Sequence, residues 1–158
     1  MDLNRRKELV AQYKDGYRAV AEAVAGATDA ELDAHTAPGK WSARQIVHHL
    51  ADSEMTSAVR IRLLLASDRP QIAGCDQEEF ARKLHYDRPI EASLAALKAA
   101  RQTTADILDR ISEADWAREG THSEHGRYGM DTWLGIYGIH AHDHAAQIRV
   151  ARESAKKR

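Results

Sequence analysis

The chain has 158 residues, enough for one domain with a hydrophobic core, and 43% of them are apolar. Its formal net charge is −1, so it lacks the basic character of most nucleic-acid-binding proteins, and we expect no nucleic-acid partner. A single cysteine excludes an internal disulfide and a four-cysteine metal site, which fits a reducing compartment. Since no segment approaches the roughly 18–20 apolar residues of a membrane span, we expect a cytoplasmic protein formed by one domain over residues 1–158, with its core at about 3–153.

Helical periodicity dominates the sequence and predicts an all-α protein. Two capping boxes, in which Ser or Thr precedes Glu or Gln by three residues, mark helix starts at Thr28 and Ser42. Four of the predicted helices are long, so the pattern favours a fold built on four helices. The predicted helices cover, in chain order, residues 3–25, 28–35, 42–66, 77–84, 90–111 and 131–153.

The last third of the chain has three further local signals. Ser112 to Asp115 forms another cap pattern before a short turn. The polar, glycine-containing run 122–129 predicts a loop or a small hairpin. Asp131 is expected to cap the final helix.

Three histidines on two predicted helices form a candidate metal site. His140 and His144 are four residues apart, so both imidazoles project from one helical face. A third ligand must come from another helix, and His49 is the candidate. Three imidazoles bind zinc, nickel, copper or iron and leave a coordination position open. The alternative is that these histidines are buried and hydrogen-bonded without a metal.

Helical phase tests the histidines individually. His140 and His144 share the apolar stripe of the last helix, whereas His142 falls on its outer face. His48 and His49 are about 100° apart around their helix, and phase alone leaves both open, although spacing favours His49. No glutamate follows the first histidine of the late pair, so the HExxH arrangement of zincin proteases is absent.

A set of motifs extends over nearly the whole chain: Trp41–Gln45, His48–Glu54, His122–Arg127, Leu134–Tyr137 and Ala146–Ile148. Together with the histidine spacing, this arrangement resembles the DinB/YfiT-like family. The resemblance implies an up-down-down-up four-helix bundle, often dimeric, with a divalent metal bound by one histidine of the second helix and two of the fourth. By motif position, the ligands are His49, His140 and His144.

The same resemblance implies a metal-dependent enzyme that acts on small molecules. Many family members are described only as metal-dependent hydrolases, whereas others resemble S-transferases that use bacillithiol, mycothiol or glutathione. The YfiT-like motifs imply transfer of a bacillithiol-like thiol to electrophilic small molecules, with nickel or zinc as the metal and a homodimer as the assembly. Two alternatives stay open: hydrolysis of an amide or ester by activated water, and a non-catalytic bundle that binds metal or a ligand.

Several polar residues are secondary candidates. Glu54 stands where YfiT relatives often have histidine, which puts the thiol reaction in question. Either Glu54 or Asp143 could orient a ligand imidazole. The basic residues that could bind a carboxylate on a thiol cosubstrate are Arg44, Arg60 and Arg62. The histidines of the connections that could approach the metal are His85, His122 and His125. Tyr137 is assigned to the core, and the lone Cys75 is given no role.

Overall fold

The computed structural model describes residues 1–156, so Lys157 and Arg158 of the expected domain lie outside the described residues. Four long helices and a small sheet form the fold, in which β1 pairs parallel with β2 and β2 pairs antiparallel with β3. The all-α class is confirmed, with the sheet as a minor addition. The elements are α1 (Leu3–Val24), α2 (Asp29–Asp33), α3 (Ala43–Ala66), β1 (Gln71–Ile72), α4 (Gln77–Lys83), α5 (Glu91–Leu108), α6 (Glu113–Trp116), β2 (Glu119–His122), β3 (Gly126–Gly129) and α7 (Met130–Lys156).

The first and last helices are parallel neighbours. At one end of the pair, the N-terminal amine of Met1 donates to Asp131. At the other end, Arg152 donates to the carbonyl of Ala23. The N-terminal ends of α1 and α7 therefore lie together, as do their C-terminal ends.

None of the helices within residues 1–156 is long and apolar enough to cross a membrane.

The two middle helices, α3 and α5, are also parallel to each other. His48 contacts Ser93, and Arg62, farther along α3, donates to Thr104 of α5. Helix α3 is antiparallel to α7. His49, near the start of α3, contacts His140, whereas the main-chain carbonyl of Ser57, farther along α3, accepts from the indole N–H of Trp133, which precedes His140 on α7. These directions give the up-down-down-up order, which confirms the expected bundle.

The predicted helix starts are largely confirmed by their caps. Capping boxes are present at Thr28, Ser42 and Ser112, and residues 119–129 form a hairpin rather than a loop. The prediction that Asp131 caps the last helix was wrong. Helix α7 begins at Met130, directly after β3, so Asp131 lies inside its first turn.

A buried ion pair lies at the centre of the bundle. The carboxylate of Glu54 on α3 accepts from the guanidinium of Arg101 on α5 at 2.6 Å and from the hydroxyl of Tyr13 on α1. Arg101 also donates to the main-chain carbonyls of Tyr13 and Tyr137, so it joins all four long helices. Burial raises the pKa of Glu54, and the Arg101 charge opposes that rise.

Helix α1 reaches this centre through a close approach at Gly16. A β-carbon at Gly16 would lie 2.8 Å from the β-carbon of Ala141 and 2.8 Å from the Arg101 guanidinium, and hydrogen bonds hold that guanidinium in place. We expect Gly16→Ala to lower the free energy of unfolding by about 1–3 kcal/mol because the helices must separate.

The matched control for Gly16→Ala is Gly135→Ala on α7. A β-carbon at Gly135 meets nothing within 4 Å, so this change should raise the free energy of unfolding by up to about 1 kcal/mol. Urea unfolding of both variants checks the pair. Equal effects would contradict the close approach.

Candidate metal centre

The three histidines predicted as ligands meet between α3 and α7. The Nε2 atom of His140 lies 3.3 Å from Nε2 of His49 and 3.1 Å from Nε2 of His144. One nitrogen from each ring lies within 4.8 Å of the others. The structure therefore brings together all three residues that the sequence selected.

The spacing of these nitrogens fits a metal ion. Tetrahedral ligation with metal–nitrogen bonds of 2.0–2.1 Å separates two ligand nitrogens by about 3.3 Å. The two distances at His140, 3.1 and 3.3 Å, are close to that value. Imidazole nitrogen is also a donor that zinc and nickel both accept. The donor set and its spacing therefore suit a divalent transition metal.

The surroundings keep these imidazoles neutral, as metal ligands must be. Burial, with smaller repulsions from the neighbouring histidines, lowers the pKa of His140 to about 3. Burial and repulsion from His144 lower the pKa of His49 to about 4. Burial likewise lowers the pKa of His144, whose Nδ1 lies 2.9 Å from the side-chain oxygen of Gln147. With Nδ1–H donating to Gln147, the Nε2 lone pair of His144 is free for a metal.

The neighbouring histidines have other partners. His48, which helical phase left open, is buried between the hydroxyl of Ser93 and the carbonyl of Arg88, at 2.8 and 2.9 Å. His142 lies on the outer side of α7, where Nε2–H donates to the carbonyl of Gln12 at 3.1 Å. Both are satisfied by hydrogen bonds, so neither is available as a ligand.

Two histidines of the β2–β3 hairpin form a separate cluster. The rings of His122 and His125 stack with their centroids 4.8 Å apart, and the main-chain N–H of Glu124 donates to Nδ1 of His122. His85 lies apart in the turn after α4, with a left-handed φ of 54°. The structure brings none of these three into contact with the ligand set.

A cavity of about 210 Å³ extends from the histidines along the groove between α3 and α7. Asp52 and Arg60 of α3 line one wall, and Tyr137 of α7 lines another. Asp52 accepts a hydrogen bond from the hydroxyl of Tyr86 at 2.7 Å. The segment between α3 and α5 contributes four more side chains: Cys75, Gln77, Phe80 and Tyr86.

A larger groove of about 650 Å³ reaches the third histidine of the set, His144. His144 and Trp41 line it, and Gln77 lines both the groove and the inner cavity. The Trp41 ring packs on His49 with a centroid distance of 4.8 Å. The candidate ligands therefore line two spaces, His49 and His140 the inner cavity and His144 the larger groove.

Sequence reasoning did not place Tyr137 or Cys75 at the cavity. Tyr137 was assigned to the core, which its exposure of 4% confirms, and it lines the cavity as well. Its position three residues before His140 places both on one helical face, which was a usable signal. Cys75 was given no role, and nothing local could have revealed it, because it reaches the cavity from the segment after β1.

The other polar candidates have different partners in the structure. Glu54 belongs to the buried ion pair and does not orient an imidazole. Arg44 is paired with Asp29 and Asp33, and Arg62 donates to threonines of α5. Arg60 is the candidate arginine that lines the cavity.

Comparison with known proteins connects this architecture to a family. Residues 12–148 match the sequence profile of the DinB superfamily. A protein of Oceanobacillus iheyensis named "Putative metal-dependent hydrolase" is 32% identical over 141 residues, which are 89% of this chain and 82% of the relative. A protein of Geobacillus thermodenitrificans with the same name is 32% identical over 152 residues, covering 93% and 84% of the two chains.

The fold also matches a solved structure. YfiT from Bacillus subtilis, described as a probable metal-dependent hydrolase with an unusual four-helix bundle topology, superposes with a TM-score of 0.89. The match covers 98% of this chain and 90% of YfiT at 26% sequence identity.

Proposed function

This chain belongs to the DinB superfamily, and from that membership we propose that it is a metal-dependent hydrolase of small molecules, with one divalent ion held by His49, His140 and His144. The observation that carries the proposal is the approach of three neutral imidazole nitrogens beside a cavity. We propose nickel or zinc, because both accept imidazole ligands. The bound ion would supply Lewis acidity, which polarises a carbonyl and favours the deprotonated form of a nucleophile.

The protein residues around the cavity support hydrolysis of an ester or amide. Burial raises the pKa of Tyr137, so its hydroxyl stays protonated at neutral pH and can donate to a substrate oxygen. The indole of Trp41 packs on His49 and helps to hold that imidazole in position. The volume of about 210 Å³ suits a small substrate rather than a polymer.

A second candidate function is transfer of a low-molecular-weight, bacillithiol-like thiol to an electrophile. The observation that favours it is that the histidines line two spaces, the inner cavity at His49 and His140 and the larger groove at His144. A two-substrate reaction needs room for the thiol and the electrophile at the same time. The two spaces would give each reactant its own room beside the ion.

One experiment separates the two reactions. Metal-loaded protein is assayed with p-nitrophenyl acetate without thiol, and with 1-chloro-2,4-dinitrobenzene in the presence of bacillithiol or glutathione. Ester cleavage that requires metal but no thiol supports hydrolysis. Consumption of 1-chloro-2,4-dinitrobenzene that requires both metal and thiol supports transfer. Absence of both activities in protein that holds one metal per chain would leave a non-catalytic binding bundle.

The hydrogen bond between His144 and Gln147 should contribute to metal affinity. We expect Gln147→Leu to weaken binding by about tenfold, because His144 loses the acceptor that fixes its ring and tautomer. Competition with a coloured chelator measures the change. An unchanged affinity in a folded variant would contradict this role.

We also propose that the chain forms a homodimer in the cytoplasm. An exposed apolar stripe on α3 offers surface for a second copy: Met55, Val59 and Leu63. Light scattering would then give twice the chain mass of 17.6 kDa.

A further inference from the structure

Arg60 is a cation without an anionic partner. Its guanidinium donates to the hydroxyl of Tyr137 at 3.0 Å, to the carbonyl of Ala73 at 2.7 Å and to Sγ of Cys75 at 3.5 Å. Within residues 1–156, no carboxylate oxygen lies within 4.0 Å of it. Since a half-buried charge is usually paired, Arg60 has capacity for an anion from outside the chain.

The acidic residues of the neighbouring segments are positioned elsewhere. Asp52 lies two helical turns before Arg60, about 12 Å along the axis of α3, and accepts from Tyr86. The carboxylate of Glu124 packs against the main chain at Gly74. Neither neutralises the guanidinium.

The hydroxyl beside Arg60 can also donate a hydrogen bond. Tyr137 accepts from Arg60, so its own hydroxyl proton is left to donate. The wall of the cavity around Arg60 therefore presents a positive charge and, beside it, the hydroxyl of Tyr137.

The position of Arg60 relates this cluster to the candidate metal. Arg60 and Tyr137 line the same cavity as His49 and His140. A small molecule that fills the cavity can therefore contact the guanidinium with one group while another group lies at the histidines. The planar guanidinium matches the geometry of a carboxylate in particular.

We propose that Arg60 and Tyr137 form an anion-binding subsite that selects small substrates bearing a carboxylate. The preference for carboxylate-bearing substrates makes the proposed function more specific and rests on it. The binding of a carboxylate at the subsite can be tested without metal and without catalysis. The subsite would hold the carboxylate and leave the reactive group of the same molecule towards the histidines.

Cys75 provides a built-in probe of the subsite. It is the only cysteine, it is exposed, and its Sγ lies beside Arg60. Iodoacetate and iodoacetamide both alkylate a thiolate with loss of iodide and differ by a carboxylate in place of an amide. The ratio of their rates reports the affinity for the carboxylate, because the thiolate fraction affects both rates equally.

We expect Arg60→Met to lower the iodoacetate-to-iodoacetamide rate ratio by about fivefold or more, since a charge-assisted hydrogen bond is lost. The matched control is Arg62→Met, which removes the same charge two residues away but outside the cavity. This control should leave the ratio unchanged. Equal ratios in the parent and Arg60→Met, or equal losses in both variants, would overturn the proposal.

A second measurement needs no variant. Succinate should slow the alkylation of Cys75 by iodoacetamide in the unmodified full-length protein, whereas neutral succinamide at the same concentration should not. Equal protection by both compounds, or by neither, would refute the subsite. Both measurements are made before and after metal loading, so failure to bind metal would count against the proposed function without deciding the subsite.

Discussion

Replacement of His140 by alanine should reduce bound metal from near one equivalent per chain to near zero and abolish metal-dependent activity. His140 is the central member of the set, since its Nε2 lies 3.3 Å from that of His49 and 3.1 Å from that of His144. Two remaining imidazoles would leave a transition metal with half of a tetrahedral ligand set. Elemental analysis of untagged protein measures the change, and we expect the same loss for His49→Ala and His144→Ala.

The neighbouring histidines are the matched controls. His142→Ala removes an imidazole from the same helix, and His48→Ala removes one from the position next to His49. Both controls should retain the metal, because their side chains bind a main-chain carbonyl or Ser93. Complete loss of metal in either folded control, or full retention in His140→Ala, would refute the ligand assignment.

Removal of one partner of the buried ion pair should have the largest effect on stability. Glu54 and Arg101 are 1% and 2% exposed, so Glu54→Gln would leave a buried guanidinium without its counter-charge. We expect the free energy of unfolding to fall by about 3–5 kcal/mol. Urea unfolding monitored by circular dichroism measures the loss.

Two comparisons make this result specific. The double variant Glu54→Leu with Arg101→Met replaces both charges by apolar groups and should recover much of the stability. Glu8→Gln breaks the exposed pair with Arg5 and should change stability by less than about 1 kcal/mol. A Glu54→Gln variant as stable as Glu8→Gln would contradict the structural role of the pair.

The parts of the fold that were predictable from the sequence depend on local interactions. The capping boxes at Thr28 and Ser42 involve residues three apart, so the sequence reveals them directly. Strand β1 was missed because it has two residues and pairs with β2 about 50 positions later. Asp131 was misread for a similar reason, since its partner is the N-terminal amine of the chain.

The same distinction between local and distant interactions applies to the candidate site. His140 and His144 are four residues apart on one helix, so spacing identified them, whereas phase alone could not separate His48 from His49. Glu54 was considered as a support for a ligand, but its partner Arg101 lies 47 residues away and no local pattern links the two. The role of such residues depends on tertiary contacts that the sequence does not reveal.

The parallel direction of α3 and α5 has an evolutionary consequence. The chain must return along the bundle between them, and this returning segment carries side chains that line the inner cavity. Its helix α4 contains no buried residue, so it contributes little to the core. Substitutions at the cavity-lining positions of α4, Gln77 and Phe80, can therefore alter which compounds are accepted while the scaffold and the histidines stay the same. Such a division between scaffold and recognition segment would let related proteins acquire different substrates through changes in one short stretch of chain.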